Sequence, residues 1–148
     1  MFSRDLRTVV DIQASVAKVW RVLFDTARYP EWNPMVREIS CPKGLAPRMP
    51  IKLTFRVGPV VVPGVAARVT KFQPERVLAW KGGLAGLQTG EHYFVLAERP
   101  GGVTRVIHGE RWRGVAVAPV IGALGSLLFA GYRELNQALR ERCEQDDA

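Results

Sequence analysis

The chain has 148 residues, 21 Lys+Arg against 14 Asp+Glu, and a formal net charge of +7. That length suits a single domain, and the 47% hydrophobic and 24% charged residues are ordinary for a globular protein, which excludes disorder, collagen-like sequence and a coiled coil. The basic excess raises the question of an anionic partner, nucleic acid or membrane.

In chain order, Leu6 to Ile12 reads as a strand rich in β-branched residues. Ser15 offers an N-cap, and Val16, Val19, Trp20, Leu23 and Phe24 recur at helical spacing. Tyr29-Pro30-Glu31-Trp32-Asn33-Pro34 reads as a loop or broken helical turn, because two prolines four apart cannot share a continuous helix. Val36 to Ser40 is a short strand. Ile51, Leu53, Phe55 and Val57 then alternate with polar residues at a period of two. Gly58-Pro59 turns the chain into Val60 to Phe72, a long strand bent at Pro63-Gly64, and Arg76 to Lys81 follows. Gly82, Gly83 and Gly86 mark a flexible connection. Gly90 to Arg99 and Val103 to Arg113 form a hairpin around Pro100-Gly101-Gly102, read as a type I turn plus bulge.

The last element is a helix from about Pro119 to Glu144, with Val120, Leu124, Leu127, Leu128, Gly131, Leu135, Ala138 and Leu139 on one stripe. Residues 114 to 132 carry no charge, but Gly114, Pro119, Gly122, Gly125, Ser126 and Gly131 interrupt them, so they read as the buried half of a helix and not as a membrane span. Strands flanked by terminal helices give an α+β fold with an antiparallel sheet. Cys41 and Cys143 have neither CxxC spacing nor a neighbouring histidine, which points to free thiols. The N-terminal residues carry charges and no apolar run, so the expected location is the cytoplasm.

Four stretches resemble the START-like helix-grip superfamily, also called SRPBCC, in its polyketide cyclase/dehydrase and lipid-transport branch. They are Ile12-x-Ala14 through Val19-Trp20 to Asp25; Tyr29-Pro30-Glu31-Trp32-Asn33-Pro34; Gly90-Glu91-His92-Tyr93-Phe94-x-Leu96; and Thr104-Arg105-x-x-x-Gly109-Glu110. The resemblance covers nearly the whole chain. It implies a strongly curved seven-stranded antiparallel sheet gripping the long C-terminal helix, two short helices after strand 1, and a cavity between sheet and helix.

Strand parity independently divides the sheet. Leu53, Phe55, Leu78, Trp80, His92, Phe94, Leu96, Val106, His108, Glu110 and Trp112 form an inner row, and Lys52, Arg56, Arg68, Lys71, Lys81, Arg105, Arg111 and Arg113 an outer one. Small residues on the first half of the helix, Gly122, Ala123, Gly125 and Ser126, would leave room opposite the aromatics.

Within that row a three-residue hairpin loop pairs Arg99 with Val103, and therefore His92 with Glu110 and Phe94 with His108. Opposed side chains are close enough for an imidazole–carboxylate hydrogen bond, which would keep the histidine charged longer. His92 and Glu110 are the candidate catalytic pair, a general acid/base for cyclisation, dehydration or proton shift. The competing reading is a buried pair that satisfies itself or anchors a polar ligand group. Candidate ligand-binding residues are Trp32, Phe55, Leu78, Trp80 and Phe94, with His108, Trp112, Leu124 and Leu128. Trp32 reads as packing a helix corner that Asn33 caps ahead of touching ligand, and His108 reads equally as a core histidine.

No Ser–His–Asp order, Gly-rich phosphate loop or metal constellation can be assembled, so neither cofactor nor metal is expected. The bases recur along outward positions without interleaved aromatics, which argues against nucleic acid and permits a transient contact with an anionic membrane. Two functions remain open. One is a carrier or sensor of a small hydrophobic ligand, such as a lipid, an aromatic polyketide or a quinone-like molecule. The other is a cyclase or dehydratase using His92 and Glu110. The sequence leaves the oligomeric state open.

Overall fold

The computed structural model describes residues 2–146. Seven strands form one antiparallel sheet in the order β1-β7-β6-β5-β4-β3-β2. They are β1 (Phe2–Ile12), β2 (Val36–Ser40), β3 (Pro50–Val57), β4 (Val60–Gln73), β5 (Val77–Leu84), β6 (Gln88–Arg99) and β7 (Val103–Gly114). The helices are α1 (Val16–Phe24), α2 (Tyr29–Trp32) and α3 (Val117–Glu144). The curved sheet wraps α3, as in the helix-grip fold.

Local chemistry explains the boundaries. The Ser15 hydroxyl accepts from Lys18 N at 3.2 Å and starts α1. Pro30 sits in the first turn of α2, where its missing N–H costs nothing. Asn33 ends that helix, and its Oδ1 accepts from Met35 N at 3.0 Å and Val36 N at 2.8 Å, which steers the chain into β2. Tyr29 is fully buried and donates to the Leu23 carbonyl at 2.6 Å, fastening α2 to α1. Pro119 likewise lies in the first turn of α3, so the helix begins two residues before it.

Val60 to Gln73 is one continuous strand. Its pairing with β3 shifts between Leu53↔Val65 and Phe55↔Val62, which brackets Pro63-Gly64 as the bend. Gly64 lies at φ +66°, a conformation that costs glycine little. Gly82 and Gly83 belong to β5, and the connection to β6 is the short turn after Leu84. At the β6–β7 turn Gly101 and Gly102 both have positive φ, 81° and 73°, so two left-handed residues replace the single one of a type I turn plus bulge. The loop still has three residues, and the register pairs His92 with Glu110 and Phe94 with His108.

Two expectations about side-chain placement are corrected. Arg56 is not an outward base. Beyond the end of β2 it reaches Glu134 on α3, at 3.6 Å. Gly122, Ala123 and Ser126 face solvent, and a Cβ at Gly122 would meet nothing within 4 Å, so these residues do not create interior room.

Close approach of strands requires glycine at position 109, where a methyl would strike the Leu6 carbonyl of β1 and the Tyr93 hydroxyl of β6. Gly109→Ala is therefore expected to destabilise by about 1–3 kcal/mol. Gly122→Ala, in open space on a helix, should stabilise by up to about 1 kcal/mol. Equilibrium denaturant unfolding of both variants checks the pair of opposite signs.

Candidate functional site

Between the sheet and the first half of α3 lies a cavity of about 330 Å³. Its wall is apolar: Met35 and Val36, then Leu53, Phe55 and Val57 of β3, Val60, Val62 and Val65 of β4, and Trp80 of β5. The helix supplies Val120, Leu124, Leu127 and Leu128, and β7 supplies Trp112. Gly82, Gly83 and Gly90 line the sheet side of the cavity with bare backbone. Val60, Leu124 and Leu127 both line the cavity and are solvent-exposed, which places the entrance between the β3–β4 turn and α3.

The polar side chains on this wall are few: Gln88, His92 and Glu110, beside the indoles. Glu110 reaches over Gly90, where any Cβ would collide with its Oε2. Tyr132 of α3 donates to Glu110 Oε1 at 2.9 Å. Among the described residues, no lysine or arginine lies in the lining. Burial therefore raises the Glu110 pKa to about 7, against the lowering effect of the Tyr132 hydrogen bond. The indole N–H of Trp112 is buried without a hydrogen-bond partner. Burial, reinforced by the neighbouring Glu110, pushes the Tyr132 phenol far above its ordinary range, so it stays protonated and donates.

His92 does not hydrogen-bond to Glu110, since Nδ1 and Oε1 stand 3.9 Å apart. Its partner is His108, with the two Nε2 atoms 2.8 Å apart. His108 Nδ1 contacts Asn136 Oδ1 at 2.8 Å, Asn136 Nδ2 donates to Thr8 Oγ1 at 2.8 Å, and Thr8 donates to the His108 carbonyl at 2.7 Å. The direction of this chain follows from its far end. Thr8 spends its proton on the carbonyl, so it accepts from the Asn136 amide, whose oxygen then requires a proton on His108 Nδ1. A second acceptor on α3, the Tyr132 main-chain carbonyl, also favours a proton on His108.

Desolvation nevertheless lowers the His108 pKa to about 4, and it lowers that of His92 well below the usual range, helped by His108. Both rings are thus neutral near pH 7. His108 accepts at Nε2, His92 donates from Nε2, and the bare Nδ1 of His92 is left on the side of Glu110. The sequence-based expectation of a charged histidine hydrogen-bonded to the carboxylate is corrected accordingly: burial outweighs the attraction of a carboxyl that is itself half-protonated near neutrality.

The structure brings His92, Glu110, Phe55, Trp80, Trp112, Leu124 and Leu128 around one cavity. It places the other candidates elsewhere. Leu78, Phe94 and His108 are fully buried behind the wall, with the Phe94 ring stacked on His108 at 4.6 Å. Trp32 packs edge-on against Tyr29 at 5.3 Å and borders a separate surface hollow with Arg21 and Arg142. Strand parity assigns a side chain to the inner face but not to the part of that face left open, which explains the placement of Leu78, Phe94 and His108, whereas Trp32 takes the helix-corner packing read from the sequence. Sequence reasoning does not identify Thr8, Tyr132 or Asn136 as members of this network. Tyr132 and Asn136 are a polar pair four apart on the buried stripe of α3, a legible signal that they point at the same inner groups.

The chain matches the family model for polyketide cyclase/dehydrase and lipid transport over residues 3–144, and it belongs to that family. Solved structures with the same fold include the Zhui aromatase/cyclase from Streptomyces sp. R1128, with a TM-score of 0.81 and 14% identity, covering 99% of this chain and 97% of that one. A protein from Thermus thermophilus gives 0.75 and 14%, over 95% and 97% of the chains. A START superfamily protein from Mycobacterium smegmatis gives 0.71 and 16%, over 95% and 97%. No curated protein matches the chain.

Because the Glu110 pKa is raised from 4.5 to about 7, its protonated form stabilises the fold below the unfolded pKa, and that contribution is lost as pH rises through about 7. The two histidines act oppositely at lower pH, so Glu110 is isolated by comparison with Glu110→Gln. Relative to the wild type, the variant should gain stability between about pH 5 and pH 8, on the order of 3 kcal/mol, measured by denaturant unfolding at both values.

Proposed function

We propose that the protein binds a small hydrophobic ligand in the cavity between the sheet and α3, as a carrier or sensor. The observation that carries this reading is the division of the cavity: an apolar wall over most of its surface, and one polar corner made by Glu110 and His92. Such a site buries the body of a ligand by the hydrophobic effect and orients it through few polar contacts. The exposed Val60, Leu124 and Leu127 give an apolar path from the outside. Family membership supports the same reading at the level of ligand class.

A second reading, general acid–base catalysis of a cyclisation or dehydration, is favoured by one observation. A carboxyl titrating at about 7 on an apolar wall can both give and take a proton near neutral pH. In that reading Glu110 is the catalytic residue, and the neutral His92 offers Nδ1 as a second acceptor 3.9 Å away.

Extraction of the purified protein, followed by mass spectrometry and a thermal-shift screen of apolar compounds, separates these. A compound recovered intact supports carriage, and its conversion supports catalysis. Failure of every apolar compound to bind contradicts both. Leu124→Trp, which fills the entrance from an exposed position, should weaken binding by at least about tenfold while moving the melting temperature little.

A further inference from the structure

The polar corner has a definite charge and a definite hydrogen-bonding sense. The lining contains one carboxyl and, among the described residues, no lysine or arginine. Facing Glu110 are His92 from β6 and the Tyr132 hydroxyl from α3, and behind His92 lies His108 from β7. None of these supplies a positive charge near neutral pH. The bases of the same strands point outward, where Arg111 binds Glu91 at 3.0 Å and lies over the Tyr93 ring, and Arg105 holds Asp11 at 2.9 Å.

A carboxylate entering this cavity would lose its hydration, meet no cation and stand beside a second carboxyl. An uncharged hydroxyl meets the opposite situation. It can donate to Nδ1 of His92, whose lone pair is turned toward the corner by the chain running through His108, Asn136 and Thr8, or to a Glu110 oxygen. It can also accept from Glu110 in its acid form.

We infer that the ligand's buried end is an uncharged hydroxyl, as in a phenol or alcohol on an apolar skeleton, and that the site rejects the corresponding carboxylate. This inference rests on the cavity-binding reading above and adds to it the headgroup class. It follows from the arrangement of Glu110, His92 and the fixed histidine chain in a lining without bases.

Three probes of one shape test it: 2-naphthol, 2-naphthoate and 2-methylnaphthalene, titrated into the protein at about pH 8, where Glu110 is largely ionised. Quenching of the cavity tryptophans, Trp80 and Trp112, reports binding. The expected order is naphthol tightest, with naphthoate weaker by at least about tenfold and methylnaphthalene between them. In Glu110→Gln, which keeps the shape and removes the charge, the gap between naphthol and naphthoate should narrow because naphthoate improves.

Naphthoate binding as tightly as naphthol, or a gap unchanged in Glu110→Gln, overturns the headgroup inference. Binding of methylnaphthalene alone also overturns it and leaves the cavity-binding reading standing. Failure of all three probes to bind overturns both.

Discussion

The interior depends on a carboxyl buried without a cation. Glu110 is held on the wall of the cavity by one hydroxyl, that of Tyr132, and by the space left at Gly90. Removing a charge from water without an opposite charge is costly, and the group answers by keeping its proton to higher pH. The surroundings follow from that constraint. The nearest imidazole is neutral and turns its proton away to His108, and α3 contributes Tyr132 and Asn136 to the polar contacts between helix and inner strands. The result is a polar corner without net positive charge, at the end of an apolar cavity.

The β6–β7 hairpin sets this corner. Its three-residue loop makes His92 face Glu110 and Phe94 face His108, so both histidines come onto the inner face, diagonal to each other on neighbouring strands. The adjacent pairing with β1 sets Thr8 against His108, where its hydroxyl closes the chain of hydrogen bonds. Helix α3 completes the corner with residues one turn apart. The corner thus depends on long-range register, and a slip of one residue in β7 would turn His108 and Glu110 away from their partners.

Much of this was legible in the sequence. The hairpin loop length alone yields the His92–Glu110 and Phe94–His108 oppositions, and alternation in β3, β6 and β7 yields the apolar wall. The family resemblance covers the order of elements. What was not legible depends on distances that parity does not contain. Opposition of His92 and Glu110 suggested a hydrogen bond, yet the side chains stop at 3.9 Å because each has a better-placed partner. The small residues of α3 suggest interior room, but the helix turns Gly122, Ala123 and Ser126 outward. The basic excess proved a poor guide to the interior, since the described bases are all kept off the cavity lining, and the informative polar groups are the few that remain there.

The charge state of the corner is the central claim, and nuclear magnetic resonance of isotope-labelled protein reads it directly. Imidazole nitrogen shifts should show His108 as the Nδ1–H tautomer and His92 as the Nε2–H tautomer, both neutral at pH 7. The Glu110 side-chain carboxyl carbon should titrate at about 7. A charged His92 at neutral pH, or a Glu110 carboxyl titrating near its ordinary value of 4.5, would contradict the account.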